Sequence, residues 1–253
     1  MNICKILFSP TGGAQKAADC LANALGETIR QIDLCDRSLD FSACHLSADE
    51  LAVIAIPAYG GRMPAIAEER LARIQGNGAK AVLLAVYGNR DIDDTLLHMQ
   101  DVAEAAGFAC IAGVSAVAEH VFCRDFGAGR PDAKDQAVLK NYAVQILEKI
   151  ARGKTGVNVP GNRPYHAFGG APVKPYAGED CKKCGLCARK CPAGAICMDD
   201  PGTTDAAKCI SCMRCITICP TGARTTDPAP LNAIADMLRP ACSERKECRL
   251  YID

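Results

Sequence analysis

The sequence lacks the features that would place the chain in a membrane or on nucleic acid. Its 253 residues contain no apolar run near the ~18 residues that a membrane-spanning helix needs. Lys plus Arg (29) equals Asp plus Glu (29), so no net charge draws the chain to nucleic acid or to an anionic membrane. Tryptophan is absent and aromatic residues make up only 5% of the chain, so no dedicated substrate pocket is visible. We therefore expect no nucleic-acid partner and no membrane insertion.

Cysteine, in contrast, is abundant, with 17 residues in a chain of otherwise ordinary composition. The N-terminus, Met1 to Lys5, has a strand-like pattern rather than a basic leader followed by a long apolar stretch. We therefore expect a cytoplasmic protein. Because that compartment is reducing, so many thiols indicate metal binding rather than disulfides.

Eight of the cysteines form two quartets with the spacing C-x2-C-x2-C-x3-C. The quartets lie 28 residues apart, each is followed by proline, and Cys-Pro-x-Gly-Ala occurs in both, so the segment is an internal duplication. The members are Cys181, Cys184, Cys187 and Cys191, followed by Cys209, Cys212, Cys215 and Cys219.

This spacing favours iron–sulfur clusters. A [4Fe–4S] cluster has four iron corners, and a C-x2-C-x2-C turn is short enough to hold three of them, so the fourth ligand must come from elsewhere. A pair of Cys4 zinc sites is the alternative, but consecutive x2 spacings would leave an extra thiolate at each site and give the prolines no purpose. The sequence predicts two [4Fe–4S] clusters.

The segment from about Cys181 to Thr226 resembles bacterial-type two-cluster ferredoxins. In that arrangement the last cysteine of each run serves the other cluster. The resemblance implies one cluster on Cys181, Cys184, Cys187 and Cys219, and the other on Cys209, Cys212, Cys215 and Cys191. One residue departs from the pattern: Arg224 follows the second Cys-Pro-x-Gly-Ala, where Ile196 follows the first. We expect the second cluster to be more exposed or nearer a positive charge, with a raised potential.

Residues 1–152 alternate short apolar runs with helix-like stretches, the pattern of a parallel sheet with helices on both faces. The predicted domains are residues 1–152, a Gly/Pro-rich linker at 153–177, a cluster domain at 178–228, and a C-terminal helix and tail at 229–253. The predicted strands are 2–8, 28–33, 51–57, 80–87 and 108–117, and the predicted helices are 13–25, 64–74, 92–106 and 133–151.

The turn after the first strand indicates a phosphate site. Glycines between a strand and a helix direct free N–H groups and hydroxyls at one point, where the helix dipole also favours an anion. Such a turn can equally be a simple helix cap. It is neither G-x-G-x-x-G nor a P-loop, which argues against a dinucleotide or ATP. The candidate residues are Ser9, Thr11, Gly12, Gly13, Ala14 and Gln15.

Two further strand ends carry glycine beside an aromatic residue. Ligands of open α/β sheets bind beyond the carboxyl ends of the strands, and a planar ring needs aromatic faces and close backbone N–H groups. Either tyrosine alone is compatible with ordinary packing, but together with the phosphate site they favour FMN. The candidates are Pro57, Ala58, Tyr59, Gly60 and Gly61 on one loop, and Tyr87, Gly88, Asn89 and Arg90 on the other.

Nearly the full length resembles the EFR-type ferrodoxins, in which a flavodoxin domain is fused to a two-cluster ferredoxin. Besides the motifs above, Glu119-His120 and residues 129–132 carry the resemblance, whereas Ala14 departs from the Thr or Ser usual there. The implied fold is a flavodoxin-like, doubly wound, five-stranded parallel sheet followed by a small α+β ferredoxin-like domain. His120, at a carboxyl strand end, is a candidate proton or hydrogen-bond donor to the flavin, or an ordinary capping histidine.

These features predict an electron-transfer protein of anaerobic metabolism that couples two-electron FMN to one-electron clusters and exchanges electrons with redox partner proteins. The alternatives are an FMN-dependent reductase fed by its own clusters, and a redox sensor or assembly module. Tyr165, His166 and Phe168 are expected at the junction of the two halves. Exposed basic residues near the first quartet form either a solvated face or a docking site for an acidic partner. These residues are Lys182, Lys183, Arg189 and Lys190.

Overall fold

The computed structural model describes residues 1–252 and contains a six-stranded sheet, in which five parallel strands are joined at one edge by a short strand from the C-terminal tail. The parallel strands are β1 (Asn2–Leu7), β2 (Glu27–Asp33), β3 (Leu51–Pro57), β4 (Lys80–Tyr87) and β5 (Ala109–Val117). Their spatial order, β2-β1-β3-β4-β5, is that of flavodoxin-like doubly wound sheets, which confirms the predicted fold class.

Helices cover both faces of this sheet, which is why β3 and β4 are apolar almost throughout. One core lies under α1 and α4, and the other lies under α2 and α3. Each fully buried Leu, Ile or Val side chain contributes about 1.5–3 kcal/mol. The helices are α1 (Gly13–Leu25), α2 (Ala65–Leu71), α3 (Thr95–Ala105) and α4 (Ala133–Ala151).

The linker is docked along the first domain. Val157 is buried in the core under α3. Asp101 on α3 accepts hydrogen bonds from Arg163 and Tyr165, and Asp94 accepts the backbone N–H of Asn162 at 2.8 Å. These contacts fix the linker in one position.

The cluster domain is built from short elements around a two-stranded antiparallel sheet of β6 and β7. Its elements are β6 (Tyr176–Ala177), α5 (Leu186–Lys190), α6 (Arg214–Thr217) and β7 (Arg224–Thr225), after which α7 (Pro228–Cys242) begins. Arg70 joins this domain to the first one, because its guanidinium donates to Leu34 O at 2.6 Å and to Pro192 O at 2.8 Å. Ile210 packs against the core of the first domain.

The chain then returns to the large sheet, where β8 (Arg249–Tyr251) pairs antiparallel with β5. The five-stranded sheet expected from the sequence therefore has a sixth strand. Three residues are too few to show a strand pattern, but they cover what would otherwise be an open edge of β5. A buried ion pair between Arg130 and Asp135, to which Arg245 adds, holds this tail against α4.

Candidate functional site

A cavity of about 840 Å³ lies beyond the carboxyl ends of β1, β3, β4 and β5. It brings together most of the residues that the sequence indicated for a flavin. Those that line it are Ser9, Thr11, Gly13, Ala14, Pro57, Ala58, Tyr59, Gly60, Gly61, Tyr87, Gly88, Arg90 and His120. Three candidates, Gly12, Gln15 and Asn89, do not line it.

The turn into α1 has the geometry of an anion site. Gly12 precedes the helix with φ of +93°, a conformation that favours glycine, and as the N-cap residue it has no side chain to accept a hydrogen bond. The N–H groups of the first helical turn have no intrahelical acceptor. Ser9 Oγ accepts the N–H of Gln15 at 2.9 Å and keeps its own hydrogen for a ligand. The Gln15 side chain turns away to Asp19, so Gln15 orders the turn through its backbone.

The loop after β3 is a tight turn in which Tyr59 N–H donates to Arg62 O at 2.7 Å. Gly60 and Gly61 both have positive φ. A Cβ on Gly60 would lie 2.1 Å from the ring of Phe168, so glycine here lets the linker approach the cavity. The predicted junction residues His166 and Phe168 line the cavity, whereas Tyr165 stacks on His98 with ring centres 4.4 Å apart.

The loop after β4 has two roles. Gly88 lies directly under His120, where a Cβ would be 2.3 Å from the imidazole. Asn89 differs from the expectation: its amide donates to Cys242 O and Glu244 O, both at 2.9 Å, and its oxygen accepts the N–H of Lys246 at 3.0 Å. The side chain is thus buried against the C-terminal tail, which the sequence did not place beside this loop.

His120 is a neutral group in the cavity wall. Burial, with the charge of Arg90 adding to it, lowers the pKa of His120 to about 4. Its Nδ1 accepts backbone N–H groups from Phe122 at 3.2 Å and Cys123 at 3.3 Å, so the ring proton lies on Nε2. Near neutral pH, His120 therefore donates a hydrogen bond and has no surplus proton to give.

Sequence reasoning missed the roof of the cavity. It is built from the linker and from α7, whose half-buried Ile234 and Leu238 line the cavity together with the exposed Met237. The apolar spacing of α7 indicated a helix that packs back on a domain, but no sequence signal showed which surface it covers.

Two smaller cavities lie within the cluster domain, and each is lined by four cysteines. We name the cavity nearer the first domain the inner cluster cavity, and the other the outer cluster cavity. The outer cavity is lined by Cys181, Cys184, Cys187 and Cys219, and the inner cavity by Cys191, Cys209, Cys212 and Cys215. The last cysteine of each quartet therefore lies with the first three of the other.

The backbone around these cavities repeats with the sequence. Lys183 and Ser211 occupy equivalent positions and both have positive φ, as do Gly185 and Met213. Such φ values are uncommon outside glycine, and here they turn backbone N–H groups towards sulfur. Ser211 N–H, for example, lies 3.4 Å from Cys209 Sγ.

Burial makes the inner cavity unfavourable for bare thiolates. It raises the pKa of Cys212 to about 12 and that of Cys215 to about 11. For Cys219, burial also acts to raise the pKa, but backbone N–H groups, including that of Arg224, outweigh it and lower the pKa. Iron would supply the positive charge that buried thiolates need, so the donor set fits a cluster.

Arg224 agrees with the sequence expectation in part. It is buried, so it leaves no cluster more exposed, and its positive charge acts to lower the pKa of Cys215 in the second quartet, although burial raises that pKa more. Its side chain, however, lines the outer cavity with the first three cysteines of the first quartet. The crossing of the two repeats explains this difference, because the chain after Cys219 runs beside the cluster to which Cys219 is brought.

The inner cavity is joined to the large cavity through the linker. Ala171 lines the large cavity and its carbonyl accepts a hydrogen bond from Ser211 Oγ, next to Cys212, at 3.1 Å. Lys174 Nζ donates to Cys209 O at 2.6 Å. Tyr59 also lines the large cavity; burial raises its pKa well above the usual range, and negative charge on Cys212 acts in the same direction. At the outer cavity, in contrast, Cys184 is exposed.

Residues 180–223 match the family model described as a 4Fe-4S dicluster domain. This match confirms the prediction of two [4Fe–4S] clusters.

No curated protein sequence gives a significant match to the chain. Within residues 1–252 no helix is long and apolar enough to cross a membrane.

Solved structures similar to this chain include two flavodoxins. An archaeal flavodoxin is 13% identical, covering 60% of this chain and 99% of that one with a TM-score of 0.44. A Streptococcus pneumoniae TIGR4 flavodoxin is 19% identical, covering 58% and 97% with a TM-score of 0.38. The Flv1 flavodiiron core from Synechocystis sp. PCC6803 is 12% identical over 61% of this chain, which spans 37% of its length, with a TM-score of 0.42.

Because each cavity is lined by cysteines of both quartets, the structure predicts which cysteine variants alter the same cluster. Cys219→Ser should alter the same cluster as Cys184→Ser, although Cys219 belongs to the second quartet, and Cys191→Ser should match Cys212→Ser. Electron paramagnetic resonance of the four reduced variants checks the pairing. Spectra that instead group Cys219→Ser with Cys212→Ser would contradict it.

The environment of His120 predicts a pH effect. A pKa of about 4 lies below the ~6.5 of an unfolded histidine, so the unfolded chain binds the proton more tightly. The free energy of unfolding should therefore fall as the pH drops below about 6.5, and His120→Gln should remove this component. Urea unfolding at a series of pH values checks the sign; identical pH profiles for the parent and His120→Gln would contradict it.

Proposed function

We propose that this chain is an electron-transfer flavo-iron–sulfur protein with FMN in the large cavity and a cluster in each of the smaller ones. The observation that carries the proposal is the hydrogen bond that Ser211 Oγ donates to Ala171 O at 3.1 Å, because Ala171 lines the large cavity and Ser211 precedes Cys212 of the inner cavity. This bond joins the wall of the flavin site to the segment that would hold the inner cluster.

The fit to FMN rests on the turn into α1 and on the loops opposite it. The turn offers one helix N-terminus and the hydroxyls of Ser9 and Thr11, which suits a single terminal phosphate. The loops after β3 and β4 offer Tyr59 and Tyr87 as ring faces, and His120 offers an Nε2–H donor.

When bound, FMN would supply two-electron chemistry and each cluster one-electron exchange. The chain's own residues hold and separate these groups. Asp94 and Asp101 hold the linker that leads to the cluster domain, and Ile234 and Leu238 place apolar side chains over the cavity. Fixed placement of this kind is what coupling between cofactors requires of a protein.

The exposed end of this arrangement is the outer cavity. Cys184 is exposed there, next to Lys182 and Lys183, which are also exposed. A redox partner protein with an acidic surface would reach this end. The partner, a role in anaerobic cytoplasmic metabolism and membership of the EFR-type ferrodoxins are parts of the same proposal.

A second function is favoured by the roof. Phe168, Ile234 and Leu238 place apolar surface over the cavity, which suits a small apolar substrate of an FMN-dependent reductase. A carrier would show no catalytic consumption of such a substrate, whereas a reductase would consume it with electrons entering at the outer cluster.

The phosphate site predicts the effect of a charge at Thr11. Thr11→Glu should empty the large cavity of FMN, because the added carboxylate repels the phosphate, whereas Thr11→Ser should keep the hydroxyl and the flavin. Flavin absorbance and mass spectrometry of the released cofactor measure this. FMN retained in Thr11→Glu, or a dinucleotide released from the parent, would contradict the proposal.

The order of the sites predicts a kinetic effect. With a protein reductant that reaches only the outer cluster, Cys212→Ser should slow flavin reduction at least tenfold, because it alters the cluster beside Tyr59. A small reductant that reaches the flavin directly should reduce the parent and the variant at the same rate. Stopped-flow absorbance checks both. Equal rates with the protein reductant would mean that the two halves are only tethered.

A further inference from the structure

Two arginines of the second repeat line the cluster cavities, one in each. Arg214 lines the inner cavity and Arg224 the outer cavity. In both side chains the Nε–H is buried and has no hydrogen-bond partner among the described residues. Leaving a donor of a buried cation without an acceptor costs folding free energy. Each Nε–H therefore needs an acceptor, and the described residues supply none.

The charge of Arg224 is not neutralised by the protein. Its terminal nitrogens donate to the backbone oxygens of Pro175, Pro201 and Thr203 and, at 2.7 Å, to Thr204 Oγ1. All of these acceptors are neutral. Within residues 1–252 neither Arg214 nor Arg224 forms an ion pair with a carboxylate. Arg224 therefore presents a net positive charge beside the outer cavity.

The first repeat shows that the fold does not need these arginines. Leu186 and Ile196 occupy the positions equivalent to Arg214 and Arg224. An aliphatic side chain satisfies the same local structure in one half of the duplication. The arginines of the other half are thus open to a role in the properties of the clusters.

We propose that Arg214 and Arg224 donate their Nε–H groups to sulfur of the inner and outer clusters and hold the reduction potentials of both clusters high. The proposal rests on the cluster assignment within the proposed function. A cluster gains one negative charge when it accepts an electron from a reductant, and a nearby cation and hydrogen-bond donor stabilise the reduced form. Because Arg224 is buried and Arg214 is only half-buried, the effect of Arg224 is the larger.

This difference between the two arginines favours one direction of electron transfer between the clusters. The arginines raise the potential of the outer cluster more than that of the inner one, and this contribution favours movement of an electron from the inner cluster to the outer. The outer cavity is also the one with the exposed Cys184. The arginines thus favour delivery of electrons to a partner at that end.

The repeat itself supplies the test variants. Arg224→Ile and Arg214→Leu introduce the residues of the first repeat, and Arg224→Gln keeps amide donors without the charge in case Arg224→Ile fails to assemble. Redox titration of the anaerobic holoprotein, followed by electron paramagnetic resonance, gives the potential of each cluster. The Cys184→Ser and Cys212→Ser spectra assign the signals, and Lys208→Ala, at an exposed position, is the control.

Arg224→Ile or Arg224→Gln should lower the potential of the outer cluster so that its reduction constant falls at least tenfold, 59 mV for a one-electron couple. The inner cluster should shift less in these variants, because the charge of Arg224 also reaches Cys215. Arg214→Leu should lower mainly the inner cluster, and Lys208→Ala should leave both unchanged. An unchanged or raised outer potential in both Arg224 variants would overturn the proposal while leaving the Cys212→Ser kinetics, and so the proposed function, intact.

Discussion

The packing of the inner cluster cavity against the first domain and the linker fixes the geometry on which the rest of the structure depends. Ile210 packs into the core of the first domain, Arg70 binds the carbonyl of Pro192 next to a cluster cysteine, and Ser211 binds the carbonyl of Ala171 in the wall of the large cavity. These contacts place the inner cavity beside the large one. Pro192 and Ile210 line the inner cavity and do not line the outer one.

Both ends of the cluster domain are tied to the first domain, which keeps this contact in place. On the N-terminal side, α3 holds the linker through Asp94 and Asp101. On the C-terminal side, Asn89 holds the end of α7 and the chain that follows it. A single linker would leave the cluster domain free to swing, whereas two attachments restrict it and also bring the roof over the cavity.

Regular patterns explain what the sequence could predict. The apolar runs that became β3 and β4 are long and continuous, and the repeated cysteine spacing has few other chemical uses. The carboxyl ends of parallel strands meet at one edge, so Ser9, Tyr59 and Tyr87 could be grouped before their positions were known.

The features that could not be predicted depend on contacts between distant parts of the chain. The sequence neighbours of Asn89 line the flavin site, but its own side chain satisfies the backbone of residues 242–246, more than 150 positions away. The place of Arg224 in the repeat indicates the second cluster, which its charge does reach, but the crossing of the repeats puts its side chain in the wall of the outer cavity. Spacing and periodicity carry no information on such contacts.

The central claim is that the inner cluster lies beside the flavin and the outer cluster farther away. Pulsed electron paramagnetic resonance can measure the dipolar coupling between a flavin radical and each reduced cluster, with the clusters assigned by the Cys184→Ser and Cys212→Ser variants. The structure predicts the stronger coupling for the cluster altered by Cys212→Ser. Stronger coupling to the cluster altered by Cys184→Ser, or no coupling to either, would contradict the account.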